Sequence, residues 1–399
     1  MTTTPLPDHI HRPHLRPIQP IPVQKDGRNF VALRDPQQLQ PQTIVVPPNT
    51  LQVLQSFRGE LTLEQIADRF RTELAHLVAL AQGLDQLGLL WGPTLEKLEA
   101  DALKRIEAEG VLPGHATAPL AQKGVDAAQT LASYLDQTED PELDGVCRGI
   151  VAPHLDYVRG WPNYAAAYHG VRGGPKPDRV VILGTNHFGM GEGVVMTEFG
   201  FRSPLGRSPA DAAIVESVVG QFGRRILRDQ LDFVAEHSVD LHVPWVQHCL
   251  GTVPIVAALI PDPFSPPDPE DNDRVNGPEF IDVLRRAIQD AGGTSFVISS
   301  ADLSHVGPQF GEPRPVDDQR RFDVERHDRD MMGKYLAGEI EEFLEAMQWN
   351  RNPTRWCSIG NMAAALQLVA PESLELIDYR QAVDEKGQCL VSSAAIALM

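Results

Sequence analysis

Five histidines, an aspartate and a cysteine of this chain stand where apolar runs give way to turn residues, and side chains so placed can bind a metal or move protons. His154 follows the run GIVAP, and His187 follows RVVILGTN. A third run, TSFVISSADLSH, ends in Ser299, Ser300, Asp302 and His305, while His237 and His242 bracket the short segment HSVDLH. Cys357, in RWCSIGNMAAAL, sits just ahead of a helix of small residues. A thiol at a helix N-terminus is biased towards thiolate, which makes it both a better nucleophile and a better metal ligand. One strand-end histidine is more often a hydrogen-bonded structural residue, and one isolated cysteine a small hydrophobe. Several independent strand ends delivering such groups to one side of one sheet point instead to a shared site. Cys147, Cys249, Cys389 and His169, set among apolar neighbours or at a helix end, read as core.

Those positions require particular elements beneath them. Apolar runs predict strands over 146–152, 179–183, 193–196, 253–259, 295–300, 375–379 and 391–398. Helices are expected between them, one capped by Ser208 with Pro209 in its first turn and another over 278–291. Strand and helix alternating in this way predict an α/β fold, a mostly parallel central sheet with helices on both faces. In such sheets the crevice beyond the carboxyl ends of the strands is where ligands collect.

The chain has 399 residues and a formal net charge of −19. That length calls for two domains, and that charge makes nucleic acid or an anionic membrane surface a poor partner. Four cysteines without a CxxC pair give neither a disulfide framework nor a zinc ribbon. With no signal-peptide pattern and no apolar run long enough for a membrane span, a cytoplasmic protein is expected. Residues 1–24, rich in Pro and His, read as a flexible tail in which His9, His11 and His14 are merely polar. Residues 25–92 predict a small, mainly helical domain. Thr62 and Gln65 form a capping box for a helix carrying Leu63, Ile66, Ala67 and Phe70 on one face. A further helix closes on Gly88. Residues 93–110 read as a helical linker and 111–399 as the α/β domain.

The 25–92 segment resembles winged-helix or PqqD-like modules. A DNA-reading winged helix needs a basic recognition helix, whereas residues 72–91 contain no Lys or Arg, so docking of a protein or peptide partner is the expectation. The motifs APHLDY, LGTNHF, RSPLG, EHSVDLHVPWV, SSADLSHVG and WCSIGNMAA, in this order, resemble the MEMO family, the B component of the AmmeMemoRadiSam set, over residues 111–399. That family's fold is similar to the class III extradiol, LigB-type, dioxygenases. The resemblance implies metal ligands at His154, His187 and Cys357. It also implies catalytic or cleft residues at Asp302, His305, His237, Asp240 and His242. Ser358 stands where the family commonly has Gly.

Two imidazoles plus an anionic ligand with open positions suit non-haem iron(II), and a thiolate as the anion also admits copper or zinc. The implied function is a metal-dependent, dioxygenase-like oxidoreductase acting on a small molecule or peptide in the cleft. The alternatives are a non-catalytic adaptor that binds a peptide or modified side chain there, and a zinc hydrolase that activates water.

Overall fold

The computed structural model describes residues 5–124, 126–187, 189, 193–265 and 273–399. Two compact units emerge, residues 1–109 and a main unit of residues 110–187 and 191–399.

In the first unit, strands Gln19–Lys25, Arg28–Arg34 and Ile44–Val46 form an antiparallel sheet in chain order. Helices Thr50–Leu54, Leu63–Phe70, Leu74–Gln86 and Pro93–Glu109 follow. The capping box is present: Gln65 N donates to Thr62 Oγ1 at 3.3 Å, and Thr62 N donates to Gln65 Oε1 at 2.8 Å. Leu63 and Ile66 are thereby turned into a core shared with Leu33, Phe57 and Leu84.

The expectation of a flexible tail over residues 1–24 is corrected for its described part. Asp8–His11 is helical, and residues from Gln19 pair with the second strand. Pro20 and Pro22 are tolerated because this is an edge strand, where an outward position needs no N–H. Arg16, 1% exposed, donates to Asp35 Oδ1 at 3.1 Å, to the Gly88 carbonyl at 3.2 Å and to Gln37. His9 and His11 face Asp85 and Glu64, at 3.2 and 2.9 Å. An ion pair with residues far along the chain, invisible to local periodicity, is what orders this segment.

Among the described residues the large sheet of the main unit has eight strands: β1 (Gly149–Ala152), β2 (Arg179–Thr185), β3 (Val195–Met196), β4 (Ile255–Ile260), β5 (Ser295–Ser300), β6 (Asp302–Val306), β7 (Leu374–Val383) and β8 (Leu390–Leu398). Their order is β6-β8-β1-β5-β2-β4-β3, with β7 also paired to β8. Only the centre, β1-β5-β2-β4, is parallel. Burial along β2 and β4 is nearly continuous, as strands covered on both faces require.

The flanks are antiparallel, so the sheet is more mixed than the sequence suggests. β8 leaves the β7 hairpin to run against both β1 and β6, and β3 runs against β4. Helix α1 (Tyr157–His169) packs on β1, β7 and β8, while α2 (Ala212–Phe222) and α3 (Gly277–Ala291) pack on each other. Helix α4 (Asp318–Leu336) lies on β6 and β7, and α5 (Ile359–Val369) lies on β5, β2 and β4. The cap of α2 is Asp211, accepting from Ile214 N, and Ser208 instead ends a short strand, Gly206–Ser208. The first strand begins at Gly149 rather than at 146, where Val146 is 76% exposed.

Candidate metal centre

His154 lies two residues past β1 and is 1% exposed. Its backbone N–H donates to Asp302 Oδ1 at 3.1 Å, tying the end of β1 to the start of β6. Its Nδ1 lies 3.2 Å from the Ser300 carbonyl and 3.1 Å from Ser300 Oγ. A carbonyl only accepts, and Ser300 Oγ already donates to the Ser238 carbonyl at 2.5 Å, so Nδ1 carries the ring hydrogen. The lone pair of Nε2 is left facing Cys357 Sγ at 3.3 Å. Burial first, and the neighbouring histidines second, hold the His154 pKa well below 6.5, which keeps the ring neutral.

His187, two residues past β2, is fixed in the same manner by a group the sequence did not single out. Glu236 is 1% exposed; it accepts from His187 N at 2.8 Å and from His187 Nδ1 at 3.0 Å. It also caps the short helix His237–Asp240 by accepting from Ser238 N at 2.8 Å. Burial opposes its ionisation, but attraction to His187 and the hydrogen bonds to it bring the Glu236 pKa down to about 2. On the other side of the pair, burial opposes the charge on His187, while Glu236 and a hydrogen bond to Cys357 raise its pKa well above 6.5. The second ring nitrogen, Nε2, is left for the cluster. A buried carboxylate behind a histidine orients the ring and strengthens it as a donor. The only sequence signal for Glu236 was its place directly before His237.

Cys357 sits one residue ahead of Ser358, the cap position of α5. Both its neighbours are held. The Trp356 indole donates to buried Asp328 at 2.8 Å, and Ser358 Oγ lies 3.2 Å from Cys357 Sγ and 3.3 Å from Thr185 Oγ1. The hydroxyl of Ser358 therefore does local work that a glycine there could not do. Asn361, one turn into α5, donates to Thr185 Oγ1 at 2.9 Å and to the Ser300 carbonyl at 2.7 Å, locking the helix to the ends of β2 and β5. Gly360 admits the close approach of the chain at Pro261, whose carbonyl oxygen would lie 2.3 Å from an added Cβ.

The potential ligand atoms of His154, His187 and Cys357 all lie within 4.8 Å of one another. The His154 and His187 rings meet edge to face at 4.9 Å, and His237 stacks on His187 at 4.8 Å. His187, Glu236 and His237 form a second, overlapping group of the same kind.

The remaining candidates are distributed unequally. Asp302, 2% exposed, has Oδ2 3.8 Å from His154 Nε2, and burial pushes its pKa up to about 7. His237 borders the cluster, with its pKa brought down to about 4 by burial. His305 faces away at Nδ1, 3.0 Å from the Leu303 carbonyl and 3.2 Å from that of Arg355, and its ring meets Phe310. It belongs to β6 rather than to a loop, because the chain re-enters the sheet at Asp302 beside β8. Asp240 and His242 do not join the cluster. Asp240 is buried against the Ala116 backbone, and His242, 0% exposed, is enclosed by Tyr164 and Tyr168. The family resemblance implied that His237, Asp240 and His242 share the cleft, but the helical turn after Glu236 sends His237 to the cluster and turns Asp240 and His242 into the core.

Comparison with known proteins bears on the main unit. Residues 113–397 match the family of Memo-like proteins. The chain is 32% identical to a MEMO1 family protein of Pyrobaculum aerophilum over 169 residues, which are 42% of this chain and 57% of that protein. It is 24% identical to one of Aquifex aeolicus over 341 residues, 84% of this chain and 85% of the relative. With one of Thermus thermophilus it shares 24% identity over 324 residues, 80% and 91% of the two chains. Since the family match spans well over half of its length, the chain belongs to the Memo-like protein family.

Proposed function

We propose that the main unit is a metal-dependent oxidoreductase whose iron(II) or copper is held by His154, His187 and Cys357. One observation carries the reading: three donor atoms from the ends of three separate elements converge within 4.8 Å, with each histidine's Nδ1 already committed to an acceptor behind it. This donor set fits a transition metal of borderline softness and suits magnesium or calcium poorly. When bound, such a metal would supply redox chemistry and open coordination positions for a substrate. The protein's own part is orientation and proton handling. Ser300 and Glu236 fix the two rings, and Ser358 and Trp356 fix the thiol. Asp302, buried beside His154 with a pKa near neutrality, can take or give a proton at Oδ2 without leaving its hydrogen bond to the backbone.

The substrate is proposed as a small molecule or exposed peptide group that reaches the cleft. A cytoplasmic setting agrees with the free thiols, and among the described residues no helix is long and apolar enough to cross a membrane. The test is metal content of tag-free protein beside H187A and C357A, with oxygen uptake in the presence of a reductant. Loss of metal in both variants and metal-dependent uptake support the reading. Unchanged metal in both variants overturns the site, and a bound but redox-silent zinc overturns the oxidoreductase in favour of hydrolysis.

A further inference from the structure

Beneath the cluster lies a polar pair that the site does not use. Tyr168 and His242 are both 0% exposed, and the Tyr168 hydroxyl is 2.9 Å from His242 Nδ1. The other ring nitrogen, Nε2, is buried and has no hydrogen-bond partner among the described residues. Among the described residues Nδ1 is the acceptor within reach of the buried phenol's hydrogen, so the hydroxyl donates to Nδ1 and the neutral ring carries its own hydrogen on Nε2. Burial brings the His242 pKa down to about 3, and it holds Tyr168 far from phenolate. At neutral pH both partners are therefore uncharged, with the proton on oxygen.

Aromatic rings run in file from this pair. Tyr168 stacks on Trp245 at 5.4 Å and 16°, Trp245 meets Tyr134 at 6.3 Å and 26°, and Tyr134 stacks on Trp161 at 5.0 Å and 13°. Trp245 is fully buried, Tyr134 and Trp161 are half-buried, and Trp161 lines a hollow at the surface. Packing explains a buried stack of rings. It does not call for an imidazole acceptor placed behind one phenol, which adds polar groups to an otherwise apolar cluster.

We propose that Tyr168 is a one-electron redox site, with His242 as its proton acceptor and Trp245, Tyr134 and Trp161 as its route to the surface. The co-reactant is a high-potential, outer-sphere one-electron oxidant. Tyr168 gives up one electron through the stack, and its O–H proton crosses to His242 Nδ1. The products are a neutral tyrosyl radical, an imidazolium and the oxidant reduced by one electron. Re-reduction returns the proton to oxygen. Without the acceptor, oxidation would leave the proton on a phenol radical cation, a far stronger acid than an imidazolium even where burial weakens the imidazole as a base. No metal is required, so this inference and the reading of the His–Cys cluster fail separately.

The experiment oxidises full-length, chelator-treated protein with photogenerated tris-bipyridine ruthenium(III) and follows radicals by electron paramagnetic resonance after rapid freezing. A tyrosyl signal that is lost in Y168F and kept in Y164F supports the proposal, and so does slower radical formation in W245F. A signal undiminished in Y168F, or a tryptophanyl radical alone in the wild type, overturns it. The wild type supplies a second readout that does not depend on any variant folding. An internal acceptor makes the rate of tyrosyl formation independent of buffer concentration, whereas a rate that climbs with buffer base overturns the role of His242.

Discussion

Glu236→Gln keeps the shape of a side chain while removing the charge that orients His187. In the wild type the buried carboxylate accepts from the backbone and ring of His187 and from Ser238 N. Its pKa is brought from 4.5 to about 2, and at about 1.4 kcal/mol per pH unit this is worth roughly 3 kcal/mol. The variant metal-free protein should therefore be less stable by about 3 kcal/mol at pH 7, in line with the usual cost of breaking a buried pair.

The sign of the pH dependence follows from the depressed value. The contribution of Glu236 is present above its unfolded pKa of 4.5 and is lost as pH falls towards 2, so the gap between the two proteins closes from about pH 5 downwards. His187, raised above 6.5, contributes on its acid side, and its share is lost as pH rises through the folded value. Urea unfolding of chelator-treated wild type and E236Q across this range, followed by the fluorescence of the main unit, measures both effects. A difference under about 0.5 kcal/mol at pH 7, or a gap that widens towards acid, would refute the reasoning.

Three further outcomes are expected. Asp328 is buried and accepts from Trp356 Nε1 at 2.8 Å, Tyr379 at 2.8 Å, and Ser304 and Ser392 at 2.5 Å each, so D328A should destabilise the main unit by on the order of 3–5 kcal/mol in thermal unfolding. Because the same carboxylate holds Trp356 beside Cys357, the milder D328N should weaken metal binding in a direct titration. In the first unit, R16A strands the buried carboxylate of Asp35 and should cost about 3–5 kcal/mol, read by hydrogen exchange of residues 8–34 against unchanged exchange in the main unit. Finally, His187 must give up its raised-pKa proton to bind a metal through Nε2. Metal affinity should fall with decreasing pH, and calorimetry in buffers of different ionisation enthalpy should register proton release.

What the sequence made legible and what it hid divide along physical lines. β2, β4 and β5 were visible because strands buried on both faces are continuous apolar runs, and their ends carried His187 and Ser300 to the crevice. The antiparallel flank was hidden because β8 pairs with β7 on one side and with β6 and β1 along its other edge, a register that no local period encodes. The segment around Arg16 looked like a tail because its partner, Asp35, lies nineteen positions away and its prolines mask the strand. The potential ligand atoms of His154, His187 and Cys357 lie together, whereas Glu236 escaped notice because it sits behind the His187 ring rather than at the cleft. Asp240 and His242 shared a motif with His237, yet the helical turn they occupy sends them into the core.

The claim on which the functional account rests is that a thiolate and two imidazoles share one metal. X-ray absorption at the edge of the native metal, on wild-type protein beside Cys357→Ser, tests it most directly. The account predicts one sulfur scatterer at about 2.3 Å with nitrogen neighbours in the wild type, and loss of that sulfur in the variant. A first shell of oxygen and nitrogen alone in the wild type, or a sulfur that persists in C357S, would contradict it.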